Sequence, residues 1–174
     1  MNNLVALFTT MDGRIGRARF WLGVLLIAAF SIAISVILML AGLSQTTIAT
    51  GTVQVNGGAA SEFSQIESTL NPWAAFLLSV VTAFPSAAIG VKRRRDRDFS
   101  GVDVLGFLVL SLLLQLLGAF GIAGWLITAL QFVLLIWAIC LLIVLGVLRG
   151  TTGPNRYGPD PLGPTTAPAP APQI

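Results

Sequence analysis

From Val102 to Leu148 the chain runs 47 residues with a single charge, Asp103. One helix of that length is about 70 Å long, twice what a ~30 Å hydrocarbon core accepts. The segment must therefore fold back on itself. Gly118, Gly121 and Gly124 mark the turn, with Trp125 as an interface anchor beyond it. Two further apolar runs precede this pair. Spans are thus expected near residues 21–43, 72–91, 102–119 and 123–148. Only 10% of the residues are charged, against ~25% in an ordinary soluble domain, so a water-soluble fold is excluded. The expected fold is an all-α membrane protein with four transmembrane helices, and residues 1–161 form its single domain.

The charges orient those spans. Arg14, Arg17 and Arg19 precede the first run, and Lys92, Arg93, Arg94, Arg95 and Arg97 separate the second from the third. Arg149 and Arg156 follow the fourth, while residues 44–71 hold no Lys or Arg. Positively charged flanks stay cytoplasmic. Both termini are therefore expected inside, with a short cytoplasmic polar cap and residues 44–71 as an external loop. The first apolar run is too long for a cleaved signal and reads as a retained signal-anchor.

Local signals fill in the rest. Leu4, Val5, Leu7 and Phe8 are expected at the headgroups, before a turn at Asp12-Gly13. Asn71-Pro72 is a good helix start, and Pro85 is expected to kink the second span. In the external loop, Thr52-Val53-Gln54-Val55 alternates ahead of Asn56-Gly57, which predicts a small hairpin. Phe63, Ile66 and Leu70 follow Ser61 at helical spacing, which predicts a short amphipathic helix. A flexible connector is the plain alternative. Gln115 and Gln131 sit at similar depth and are expected to bond across their helix pair. Residues 162–174, rich in Pro and Ala, are expected to form a disordered cytoplasmic tail.

Three stretches flank the apolar runs on the basic side. They are Gly13-Arg-Ile-Gly-Arg-Ala-Arg-Phe-Trp21, Val91-Lys-Arg-Arg-Arg-Asp-Arg-Asp-Phe-Ser-Gly101 and Gly150-Thr-Thr-Gly-Pro-Asn-Arg-Tyr-Gly-Pro-Asp-Pro161. In the second, Asp96 is placed to pair with Arg93, and Asp98 with Arg94 or Arg95. Ser100-Gly101 fits a turn and cap. The third reads as a turn pressed back onto the other two through Asn155, Arg156 and Tyr157. A candidate anionic-ligand site or structural cap therefore comprises Arg14, Arg17, Arg19, Lys92, Arg93, Arg95, Asp96, Ser100, Gly101, Asn155, Arg156 and Tyr157. Arginine suits phosphate through its planar donor fork. The bland alternative is a solvated charged loop that serves topology alone.

In order and spacing these motifs resemble the domain-of-unknown-function family eight-hundred-and-five, the YhaH-like proteins. The resemblance implies a multi-pass protein of the bacterial inner membrane and brings no established reaction with it. Lys92 and Arg93 stand where family members carry two arginines, and Asp96, Ser100 and Gly101 match. Arg94 replaces a leucine, Arg95 a histidine, and Val102 and Asp103 two tryptophans.

Composition narrows the function classes. The chain has no histidine, its one cysteine lies in an apolar run, and no ionisable residue lies deep in a span. No metal, cofactor or nucleic acid is expected, and no enzymatic activity. The expected role is binding of anionic membrane lipids, or of a membrane-protein partner or second copy, by the basic face. The alternatives are a small oligomeric transporter or channel, and an enzyme acting on lipid headgroups through the aspartates.

Overall fold

The computed structural model describes residues 4–53 and 61–163. It is mostly helical. A short helix α1 (Leu4–Thr9) precedes α2 (Arg17–Leu40), and a hairpin of β1 (Ser44–Val53) and β2 (Ser61–Leu70) follows. Then come α3 (Pro72–Arg95), α4 (Val102–Ala119) and α5 (Trp125–Leu142), which runs on into a π-helical turn, Ile143–Val147. Four helices are long and apolar enough to cross a membrane: α2, α3, α4, and α5 with its π turn. Most of their apolar side chains point outward, among them Leu25, Ile32, Val109 and Phe132, as a helix in lipid requires.

The span boundaries follow local chemistry. The Asn71 side chain accepts from the Trp73 amide at 3.0 Å, and Pro72 occupies the first helical position, where no N–H is needed. At the far end α3 continues through Pro85 to Arg95, one turn beyond the expected 91, and carries its four basic residues inside the helix. α2 likewise begins at Arg17 rather than 21. Gly121 and Gly124, both at positive φ, break the chain between α4 and α5. At that end Trp73 packs edge-on against Phe120, with centroids 4.9 Å apart.

The segment between α2 and α3 differs from its expected form. Residues 61–70 are a strand and not an amphipathic helix, paired antiparallel with β1 from Ser44↔Leu70 to Val53↔Ser61. The helical spacing of Phe63, Ile66 and Leu70 lost to a β-branched partner strand containing Thr46, Thr47, Ile48 and Thr50. The ladder satisfies backbone groups along ten residues of each strand. The expected Asn56-Gly57 turn and most of the Pro/Ala tail lie outside the described residues.

Helix α3 is the hub, in contact with α1, α2, α4 and the π turn. Glycines set the approach of its neighbours. A Cβ added to Gly90 would lie 2.6 Å from Val104 of α4, and one on Gly146 would lie 2.7 Å from the Trp21 ring. Small residues at such crossings are how helices close on each other without a hydrophobic driving force in lipid. Buried residues Leu7, Ile15, Phe20, Ile89, Val104, Leu141 and Leu145 form one cluster, which draws on α1, α2, α3, α4, α5 and the π turn. Leu7 of α1 therefore lies in the core and Phe8 packs against it, while Leu4 and Val5 stay exposed. Gln115 does not pair with Gln131: it accepts from the Ser79 hydroxyl of α3 at 2.6 Å.

Candidate functional site

A helix leaves its last four carbonyls without backbone partners and ends with partial negative charge. The end of the fourth span meets that need with side chains from the other helices. Val144 O accepts from Arg97 at 3.2 Å, and Leu145 O from Arg93 Nε at 2.7 Å. Gly146 O accepts from the Trp21 indole at 3.3 Å, and Val147 O from Arg17 at 3.3 Å. Leu148 O accepts from a second nitrogen of Arg93 at 2.6 Å. Five consecutive carbonyls are thus capped by three arginines and a tryptophan. The π-helical bond from Leu148 N–H to Ile143 O, 3.1 Å, closes the helix just before them.

Arg93 is fully buried, and its carboxylate partner is Asp96, one turn on. Asp96 also pairs with Arg14 at 3.1 Å, from the chain before α2. Arg14 spends its remaining donors on Thr151 O at 2.7 Å, Gly153 O at 2.8 Å and Gly158 O at 3.2 Å. The segment after the fourth span is thereby sewn to the start of the first. Burial pushes the Asp96 carboxyl above its ordinary value, and Arg93 and then Arg14 pull it back. Beside it, Thr151 donates to Asp96 O through both its amide and its hydroxyl. Lys92 does for α1 what the arginines do for α5: its ammonium lies 2.5 Å from Ala6 O and 3.1 Å from Leu7 O.

An outer layer closes over these groups. Arg95 donates to Met11 O at 2.6 Å and lies 3.5 Å from Asp12. The Arg95 and Arg156 guanidiniums both lie over the Tyr157 ring, 5.2 and 4.8 Å from its centroid. Asn155 donates to Arg95 O at 2.9 Å. Arg156 pairs with Asp98 at 3.1 Å, where sequence spacing had matched Asp98 to Arg94 or Arg95. Arg94 instead reaches Asp103 at 2.7 Å and lies over the Phe99 ring. Positions 94 and 103 therefore face each other across the loop. Ser100 is exposed, and the N-cap of α4 is Gly101, held at φ +83° against Val91 without a side-chain bond. Arg19 is exposed on the first turn of α2.

The family model described as Protein of unknown function (DUF805) matches residues 8–159. The chain belongs to this family. No curated protein and no solved structure matches it. The matched stretch of this DUF805 member begins in α1 and ends just after the Asn155–Gly158 turn, so it takes in nearly the whole cap. With its four long apolar helices, the chain is a multi-pass membrane protein of that family.

Arg97, Trp21, Gly146, Gly150 and Thr151 belong to the cap but are not among the candidate site residues named from sequence. Their role is set by backbone carbonyls, which carry no side-chain signature. One signal was available: an uncapped helix end followed by Gly150, with five cations at the end of a neighbouring span.

Proposed function

We propose that this is an integral protein of the bacterial inner membrane whose basic end faces the cytoplasm and holds anionic phospholipid headgroups. A membrane-protein partner or second copy would share that surface. One observation carries the reading. All ten basic residues gather at one end of the bundle with five aspartates, leaving a net charge of +5, while the only charges in 44–71 are Glu62 and Glu67. Lysine and arginine at a cytoplasmic leaflet each gain about 1 kcal/mol from anionic lipid.

Differences in burial and bonding among those cations support a division of tasks. Arg14, Lys92 and Arg93 are buried and committed to carbonyls and Asp96. Arg17, Arg19, Arg149 and Arg156 are exposed. Lipid is held by the exposed set, so the informative substitutions are there and not in the Arg93–Arg95 run. The transporter reading asks for an ionisable group along its path. Two apolar grooves between the spans offer, among the described residues that line them, the hydroxyls of Thr82 and Ser86.

The test is floatation with vesicles and lipid analysis after mild-detergent extraction. Enrichment of phosphatidylglycerol over phosphatidylcholine, reduced when exposed arginines become glutamine, supports the proposal. Equal retention of the two lipids contradicts it.

A further inference from the structure

Two cavities lie along α2 and the fourth span with no lining residue in common, the first starting at Gly16 and Arg17 and the second at Phe20. The first is a polar cleft of about 140 Å³ between the start of α2 and residues 149–152, with Arg17, Arg93, Arg149, Thr151 and Thr152 among its walls. The second is an apolar groove of about 350 Å³ reached by all four spans. On α2 the wall runs Arg17, Phe20, Val24, Ile27, a single helical face. On the fourth span it runs Leu145, Leu141, Ala138. The bond from Arg93 to Leu145 O links a residue of the cleft wall to a residue of the groove wall.

Charge in the cleft is unevenly available. Arg93 and Asp96 are spent on each other and on buried carbonyls. Asp160, on the far rim, accepts from the Gly153 and Leu162 amides, one with each oxygen. Arg17 uses one nitrogen on Val147 O, and Arg149 is exposed. A guanidinium has five donors in a planar fork, so Arg17 keeps donors for an anion beside Arg149.

We propose that one phospholipid is bound across this seam, its phosphate between Arg17 and Arg149 and one acyl chain in the apolar groove. This rests on the proposed binding of anionic lipid and gives it an address. A free phosphate would leave the groove unmatched. An apolar partner helix would leave the Arg17 and Arg149 donors unmatched. A single hydrocarbon chain suits the apolar lining.

The experiment is native mass spectrometry of the full chain reconstituted with equimolar phosphatidylglycerol and phosphatidylcholine. One phosphatidylglycerol per protomer is expected. The pair Arg17→Gln with Arg149→Gln removes two charges and should cut its retention at least ten-fold. Arg94→Gln with Arg95→Gln removes the same charge outside the cleft and should leave retention within two-fold. Ala138→Phe, which fills the groove, should also release the lipid, and Ala28→Phe from the opposite wall serves if that variant melts early. Equal loss from both arginine pairs overturns the site while leaving diffuse binding by the basic face in place. Absence of phosphatidylglycerol enrichment in the wild type overturns both. Displacement by millimolar glycerol phosphate, or retention undiminished in both groove variants, contradicts the acyl-chain half. A protein copurifying in place of the lipid contradicts the whole.

Discussion

Arg14 and Asp96 are 82 positions apart and meet at 3.1 Å, with side chains 1% and 5% exposed. Their pair, with Arg93 on the other carboxylate oxygen, joins the chain before the first span to the loop after the second. Arg14 then binds the segment after the fourth. Removing one member of a buried ion pair strands its partner and costs about 3–5 kcal/mol. Asp96→Asn should therefore destabilise the protein by that order in a denaturant titration in detergent. The exposed pair of Arg156 with Asp98 is a different case, and Arg156→Ala should cost less than ~1 kcal/mol. Equal costs for the two variants would mean that the buried cluster is not what holds the cap.

Gly150 passes directly over the Asp96 carboxylate. A Cβ there would collide with Oδ2 and crowd the Asp96 carbonyl. Gly150→Ala should lower stability by about 1–3 kcal/mol, the usual cost of overpacking. Gly153→Ser is a poor control because its φ is +79°, so Thr152→Ala, at an exposed position, is the better one. Thermal melts of the two in the same detergent should separate clearly.

Arg94 and Asp103 form a coupled pair, half-screened by solvent at 18% and 31% exposure. Asp103 also lies in the first turn of α4, where negative charge is favoured. Either Arg94→Leu or Asp103→Trp alone should be destabilising. Together they should cost less than the sum of the single changes, by a few tenths to ~1 kcal/mol. A strictly additive cycle would show that the contact contributes nothing.

The four spans were readable because hydrophobic length has one interpretation in a bilayer, and the break at Gly121–Gly124 because a 70 Å helix has none. Asn71-Pro72 and the Arg93–Asp96 pair were local patterns that tertiary structure left alone. The strand at 61–70 was not readable in that way. Its three apolar residues satisfy a helical period, and only pairing with β1 decides the matter. In the cap, sequence supplied the donors but not the acceptors. The carbonyls of 144–148 that Arg93, Arg97, Arg17 and Trp21 engage are identical in every residue type. Pairing by sequence spacing consequently placed Asp98 with the wrong arginine.

Asp160 organises the last described turn through bonds from the Leu162 and Gly153 amides, which hold its carboxyl below the ordinary value of 3.8. A depressed carboxylate stabilises the fold above its unfolded pKa, and that contribution disappears as pH falls through the lower folded value. The 153–162 turn should thus be intact from neutral pH down to about pH 4 and loosen only in stronger acid. An NMR titration of the Gly153 and Leu162 amides in micelles should give a midpoint below 3.8. A midpoint above it would mean that the two bonds do not favour the charged form.

The placement of the basic end at the cytoplasmic leaflet underlies both the lipid proposal and its address. Single cysteines at Ser64→Cys in the hairpin and Thr152→Cys beside the cleft, in a Cys140→Ala background, report it directly. With a membrane-impermeant maleimide on spheroplasts, Ser64→Cys should label at once and Thr152→Cys only after the membrane is opened. Labelling of Thr152→Cys in sealed spheroplasts, with Ser64→Cys protected, would contradict the account.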